Sequence, residues 1–165
     1  MAGAGAELTL RPLARADLPE LTRIIQTPEV ARWWDDEPPW DDGDATMLTI
    51  EVGGRIAGLI QYGEETDAKY RHASIDIFVD PALHGRGIGT EAIRQLARHL
   101  IKERGHHRIT IDPAAANMQA IRAYEKPGFT PVGVMRQYER DMATGEWHDG
   151  LLMELIGAPP ESGAP

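Results

Sequence analysis

Gly85, Gly87 and Gly89 alternate within the run Val79-Asp80-Pro81-Ala82-Leu83-His84-Gly85-Arg86-Gly87-Ile88-Gly89-Thr90. The run leaves an apolar stretch that alternates as a strand and enters one with helical spacing. Glycines let main-chain N–H groups come close to an anion, and a helix start adds positive potential. The turn therefore suits a phosphate or pyrophosphate. It is not a P-loop, because GxxxxGK[ST] is absent. Its GxGxG spacing and mid-chain position also differ from a GxGxxG dinucleotide site. A second run, Ile111-Asp112-Pro113-Ala114-Ala115-Ala116-Asn117-Met118-Gln119-Ala120-Ile121-Arg122-Ala123-Tyr124-Glu125-Lys126-Pro127-Gly128-Phe129, ends a strand. It offers Asn117 as a helix cap and closes with Tyr124 and Phe129.

Carboxylates and flat rings gather in a third place. Residues 32–44, RWWDDEPPWDDGD, interleave Asp35, Asp36, Glu37, Asp41, Asp42 and Asp44 with Trp33, Trp34 and Trp40. Glu64, Glu65 and Asp67 add to them. Lys plus Arg is 17 and Asp plus Glu is 26, so the net charge is −9. An acidic surface repels nucleic acid and anionic lipid; it is compatible with a cationic small-molecule partner, and equally serves solubility. Tryptophan faces add ~0.5–2 kcal/mol of cation–π attraction. A solvated acidic loop anchored by Trp33 or Trp34 fits the same residues. There is no cysteine, and the six histidines show no metal-ligand spacing. No metal is expected, and His106-His107, after Gly105, should lie exposed in a turn.

The elements that must position these groups can be read from periodicity. Leu8, Leu10 and Leu13 suggest a strand. Asp17 with Glu20 reads as a capping box for a helix carrying Leu18, Leu21, Ile24 and Ile25, ended by Thr27-Pro28. Residues 32–44 read as a loop. Met47–Val52 and Arg55–Gly63 form a hairpin about Gly53-Gly54. Ala73–Val79 is a strand with Ile75, Ile77 and Val79 on one face and Asp76 and Phe78 on the other. A long helix buries Ile88, Ala92, Ile93, Leu96, Leu100 and Ile101. Arg108–Ile111 is a strand, Asn117–Lys126 a helix, and Thr130–Arg140 with Glu146–Leu155 a final hairpin. That order predicts a mixed α/β (α+β) layer structure in a single domain over 8–156, with mobile tails at 1–7 and 157–165. No apolar run approaches the ~18 residues of a membrane span, and the N-terminus lacks signal-peptide character.

Together the two runs resemble the Gcn5-related N-acetyltransferase (GNAT) superfamily over residues 8–155. There a strand–(Gln/Arg)-x-x-Gly-x-(Gly/Ala)–helix segment binds the pyrophosphate of acetyl-CoA. An Asn-x-x-Ala-x-x-x-Tyr-x-x-x-Gly-Phe segment lies along its pantetheine arm. Here His84 replaces the first Gln or Arg, and Asn117, Ala120, Tyr124, Gly128 and Phe129 match the second segment. The resemblance implies a central mixed, mostly antiparallel sheet of six or seven strands with helices on both faces. It implies acetyl-CoA as co-substrate, held by Phe78, Val79, His84, Gly85, Arg86, Gly87, Ile88, Gly89, Thr90, Asn117, Ala120 and Tyr124. Pantetheine would lie between the strands ending at Val79 and Ile111.

The Gly145–Met153 hairpin resembles small-molecule and ribosomal-protein acetyltransferases alike, whereas Trp33-Trp34, Ser74-Ile75-Asp76 and Thr110-Ile111-Asp112-Pro113 resemble the aminoglycoside 6′-N-acetyltransferases. They imply an acyltransferase acting on an aminoglycoside amine and conferring resistance, cytoplasmic, and a monomer or homodimer. Trp33, Trp34, Asp35, Asp36, Glu64, Asp76 and Asp112 would contact the acceptor. Asp76 is the candidate base; the other account makes it only an ammonium ligand. A free main-chain N–H near Phe78 and Val79 would bind the thioester oxygen. Tyr124 would pass its proton to the leaving sulfur, or only orient it. Asp112 is an ammonium ligand or simply a turn residue before Pro113. A protein N-terminus, another small amine, or non-catalytic acyl-CoA or drug binding are the competing functions.

Overall fold

A computed structural model of the chain describes residues 5–35, 40 and 43–157. Seven strands form one sheet: β1 (Leu8–Pro12), β2 (Thr46–Val52), β3 (Arg55–Glu65), β4 (His72–Val79), β5 (Arg108–Ile111), β6 (Thr130–Arg140) and β7 (Trp147–Ile156). Their spatial order is β1-β2-β3-β4-β5-β7-β6. Every neighbouring pair is antiparallel except β4 with β5. The helices are α1 (Leu18–Ile25), α2 (Pro28–Trp34), α3 (Ile88–Lys102) and α4 (Met118–Glu125).

Alternation along β4 divides the core in two, as the period of a strand requires. Ile75 and Ile77 face α3 and α4, packing with Ile60, Tyr62, Ile93, Leu96 and Phe129. Phe78 faces the other way, with Leu59, against Leu21, Ile24 and Ile25 of α1 and Val30 of α2. Helices therefore cover both faces of a mixed, mostly antiparallel sheet.

Four local readings of the sequence are corrected. Asp17 does not cap α1; its carboxylate is buried and accepts from Arg11 at 2.7 and 2.8 Å, from Ala14 N–H at 2.9 Å and from Thr49 at 2.9 Å. A buried ion pair thus won over a helix cap. Arg32, Trp33 and Trp34 are helical rather than in a loop, because Pro28 starts α2 at its first position, where no N–H is needed. His106 is 2% exposed, its ring nitrogen Nε2 2.5 Å from Glu64 Oε2, so the expectation of an exposed histidine pair holds only for His107. Gly157, placed in the tail by composition, is buried; its N–H donates to His107 O at 2.8 Å.

One feature of the sheet makes the site. β4 pairs with β5 only at Ala73 with Ile109 and Ser74 with Thr110. Beyond Ser74 the two parallel strands part. On its other side β4 keeps β3 through to Gly58 opposite Val79. A Cβ on Gly58 would stand 2.1 Å from Phe78 O and 2.9 Å from Val79 Cα, so only glycine lets β3 draw the end of β4 this close. Asp80 N–H completes the pull by donating to Ala57 O at 2.7 Å.

Candidate active site

The parting of β4 and β5 opens a wedge at the middle of the sheet. On its β4 side, Ile77 N–H meets Asp76 Oδ1 at 3.2 Å and Ile77 O accepts the indole N–H of Trp34 at 3.1 Å. The peptide groups of Ile77 therefore face the wedge rather than β3. The alternation of an antiparallel ladder turns Val79 the same way. Val79 O indeed accepts from the His84 ring, Nε2 at 3.0 Å. His84 thus folds back as a strut between the glycine turn and the end of β4.

Beyond that strut lies the turn itself. Gly85 and Gly87 adopt φ of +79° and +75°, and a Cβ on either would meet nothing within 4 Å. Gly87 is the N-cap of the fifteen-residue α3 and supplies no side-chain cap, so the first-turn N–H groups are left for a ligand. A Cβ on Gly89 would stand 3.7 Å from Val79 Cγ2, in ordinary van der Waals contact. Ile88 packs in the core beneath the turn, and Thr90 is buried. A buried carboxylate holds the turn to the body: Asp80 accepts from Ala82 N–H at 3.0 Å and from Arg23 at 2.7 Å. Uncapped amides, left-handed glycines and open space over them fit a pyrophosphate.

At the inner end of the wedge is a cavity of about 440 Å³. Trp33 and Trp34 from α2, Asp76 from β4, Asp112 after β5, Asn117 just before α4, Tyr124 from α4, and Tyr138 and Glu139 from β6 line it. Six of the residues singled out in sequence thus converge. Asn117 also caps α4, its Oδ1 accepting from Ala120 N–H at 3.2 Å. Tyr124 is buried, and desolvation first, then the charges of Asp76 and Asp112, hold its phenol well above the ordinary tyrosine range. Both tryptophans carry structural contacts as well. Trp33 has Arg32 over its ring at 4.7 Å, and Trp34 stands edge-on to Phe78, 5.0 Å between centroids.

A second cavity of about 600 Å³ shares Asp76, Asp112 and Tyr138 with the first and extends to Asp44, Glu64, Glu65 and His72. Glu64 is not an open carboxylate. Arg104 donates to it at 2.9 Å, and with His106 this keeps its carboxyl below the usual range against the cost of burial. Asp35 lies at the C-terminus of α2 with φ of +59° and repels Glu139, whose carboxyl is raised by burial first and by Asp35 and Asp112 after it. Asp36, Glu37, Asp41 and Asp42 lie outside the described residues. Among the described residues no group of His, Asp and Glu side chains is arranged to hold a metal, and no helix is long and apolar enough to cross a membrane.

Tyr138 and Glu139 escaped the sequence reading. Between Met135 and Glu139 the β6–β7 register shifts, and Gln137 takes a left-handed φ of +50°. That bulge re-aims two residues which strict alternation would not single out. The only sequence signal was the length of the hairpin.

The chain is similar to several acetyltransferases. A spermidine N(1)-acetyltransferase of Escherichia coli (strain K12) is 26% identical over 87% of this chain and 83% of its own length. An aminoglycoside N(6′)-acetyltransferase type 1 of Klebsiella pneumoniae is 28% identical over 78% of this chain and 76% of its own. A probable N-acetyltransferase, YjcK, of Bacillus subtilis (strain 168) is 28% identical, and the chain spans 58% of its length. Among solved structures, a spermidine N-acetyltransferase from Vibrio cholerae in complex with CoA and spermine superposes with a TM-score of 0.76 at 22% identity, over 90% of this chain and 95% of that one. The aminoglycoside acetyltransferase AAC(6′)-Ib with coenzyme A and kanamycin gives 0.75 at 22%, over 91% and 95%. The Acetyltransferase (GNAT) family matches residues 10–129, the span that builds the glycine turn, the wedge and Tyr124, and the chain belongs to that family.

Proposed function

We propose that the protein transfers an acetyl group from acetyl-CoA to a primary amine of an aminoglycoside, the 6′-amine, in the cytoplasm, and so gives resistance to the drug. The observation that carries the acceptor class is the meeting of Asp76, Asp112 and Glu139 with Trp33 and Trp34 in one cavity beside the wedge. Ammonium groups are drawn to clustered carboxylates, and sugar faces lie on indole rings.

The residues fit the co-substrate. The glycine turn and the start of α3 would hold its pyrophosphate, the edges of β4 and β5 its pantetheine arm. When bound, it supplies an activated acetyl thioester. Asp76 accepts the proton of the acceptor ammonium at its carboxylate, directly or through water. The N–H of Val79 faces the wedge and stabilises negative charge on the thioester oxygen. As the C–N bond forms and the C–S bond breaks, Tyr124 keeps its proton at Oη and donates a hydrogen bond to the departing sulfur, while the second proton of the attacking nitrogen passes through solvent to that sulfur, so that CoA leaves as the thiol. Complete transfer to a thiolate, with a pKa of ~8.5, is uphill from a phenol raised above ~10. A cationic acceptor beside Asp76 and Asp112 offsets their charge and eases that donation. Asp112 and Glu139 bind further ammonium groups.

A linear polyamine is the second reading, favoured by the spermidine acetyltransferases among the relatives. Release of free thiol from acetyl-CoA, measured with aminoglycosides, spermidine and peptides, decides between them. Turnover of aminoglycosides bearing a 6′-amine, with a product acetylated there, is expected. Thiol release with spermidine alone, or with peptides alone, overturns the aminoglycoside reading. Binding of drug without thiol release from any amine would make the protein a sequestering module.

A further inference from the structure

Tyr138 stands where the two cavities meet. It lines both, together with Asp76 and Asp112. Its hydroxyl donates to Asp112 Oδ2 at 2.5 Å, so one oxygen of that carboxylate is already engaged. Three features of the chain put it there. The register shift in β6 carries it out of the ladder. Gln137, in the left-handed region, is pinned by its N–H donating to Asp149 Oδ1 at 2.9 Å. Gly150 on β7 leaves room for the ring: a Cβ there would stand 2.8 Å from Tyr138 Cδ1. A non-glycine residue at positive φ costs free energy and persists only where its surroundings fix it. A strained residue, an anchoring carboxylate and a missing side chain therefore combine to place one phenol.

We propose that Tyr138 is a specificity-determining partition: its ring divides the acceptor space into two chambers and its hydroxyl holds Asp112 in position between them. The inference rests on the acceptor reading given above, in which Asp112 faces a substrate ammonium. With the ring in place, a slim amine reaches Asp76 through either chamber, while a bulky acceptor must fit one of them. With the ring removed, the chambers merge and bulk is accepted. Tyr138 acts on Asp112 and on shape, and it moves no proton in the reaction.

The test separates ring from hydroxyl. Tyr138→Phe keeps the ring, Tyr138→Ala removes it, and Gly150→Ala pushes it aside while leaving Tyr138 itself unchanged. Each purified chain, checked for folding by circular dichroism, is assayed with spermidine as the slim amine and kanamycin as the bulky one. Binding of both amines to the free protein is measured by calorimetry. The kanamycin-to-spermidine ratio of kcat/KM should rise about ten-fold or more in Tyr138→Ala and Gly150→Ala, the scale at which pocket shape discriminates. In Tyr138→Phe the ratio should hold, while the calorimetric affinity for both amines changes together. Equal ratios in wild type, Tyr138→Ala and Gly150→Ala overturn the partition, and a ratio that rises as much in Tyr138→Phe assigns the effect to the hydroxyl and overturns it too. Should Tyr138→Ala fail to fold, Gly150→Ala and Tyr138→Leu carry the same comparison. A wild-type chain that neither binds nor acetylates either amine defeats the acceptor reading, and the partition with it; a wild type that acetylates them with ratios unmoved by the variants defeats the partition alone.

Discussion

The indole N–H of Trp34 donates to the main-chain carbonyl of Ile77 at 3.1 Å, across the gap between a seven-residue helix and the open edge of β4. A helix that short does not hold itself in water. Trp34 ties it to the strand that carries Asp76, and the edge-on contact with Phe78 sets the angle. Trp34→Phe keeps a ring and loses the donor. It should cost about 1 kcal/mol of stability, the value of one net hydrogen bond. It should also raise the acceptor KM several-fold, while kcat changes by less than about two-fold. Steady-state kinetics and thermal melts read both; an unchanged KM removes Trp34 from the acceptor wall.

Asp76→Asn keeps the shape of the side chain and removes its basicity. If the carboxylate takes the acceptor proton, kcat falls by at least ~10²-fold. A rise in KM with kcat held would leave Asp76 as an ammonium ligand only, with the proton passing to solvent.

Gly87→Asp tests the anion site. Asp tolerates the left-handed region better than most residues, and nothing lies within 4 Å of its Cβ position, so the turn keeps its path at a cost of about 1 kcal/mol. The new charge sits at the start of α3, where a pyrophosphate would bind. Acetyl-CoA affinity, measured by calorimetry, should fall by ~30-fold or more, since the added repulsion and lost space are each worth about 1 kcal/mol or more. Wild-type affinity in the folded variant moves the co-substrate elsewhere.

Asp17→Ala tests the cluster that displaced the helix cap. The carboxylate is buried and joins Arg11, Ala14 and Thr49, so its loss should cost about 2–4 kcal/mol. Its pKa in the fold is depressed, first by the hydrogen bonds from Arg11. Its contribution is therefore complete above the unfolded carboxylate value of ~3.9 and fades as pH falls below it. The difference in Tm between wild type and variant should be widest near neutrality and shrink in acid. A gap that does not shrink below pH ~3 contradicts the ion-pair account.

The architecture was legible because its signals are local. Alternation in β4 separated Ile75 and Ile77 from Phe78 and Asp76, and the core follows that division. The glycine turn is a local signal too, while Tyr124 was picked out by resemblance to the Asn-x-x-Ala-x-x-x-Tyr segment, and it lines the cavity. Distant pairing was not legible. Glu64 looked like an open carboxylate until Arg104 and His106, forty and forty-two residues on, closed around it. Asp17 looked like a cap because Glu20 stood three residues away, while its partner Thr49 lay thirty-two away. Tyr138 was missed because a bulge changes which side chains face the cleft, and neither Gln137 nor Gly150 announces one.

The two-rung junction between β4 and β5 also bears on how the chain opens and closes. Protection of amides from exchange with solvent follows the bonds that must break together. β1 to β4 form one antiparallel meander and β5 to β7 another ladder, and among the described residues the two ladders pair only at Ala73 with Ile109 and Ser74 with Thr110. The sheet can therefore loosen at this seam while each half keeps its own rungs. A molecule lodged in the wedge touches both halves and supplies the crosslinks that the backbone omits. Exchange at Ile75–Val79 and Arg108–Ile111 should slow on occupancy far more than exchange in β1 or β6, so the same gap that admits a ligand makes the ligand part of what holds the sheet together.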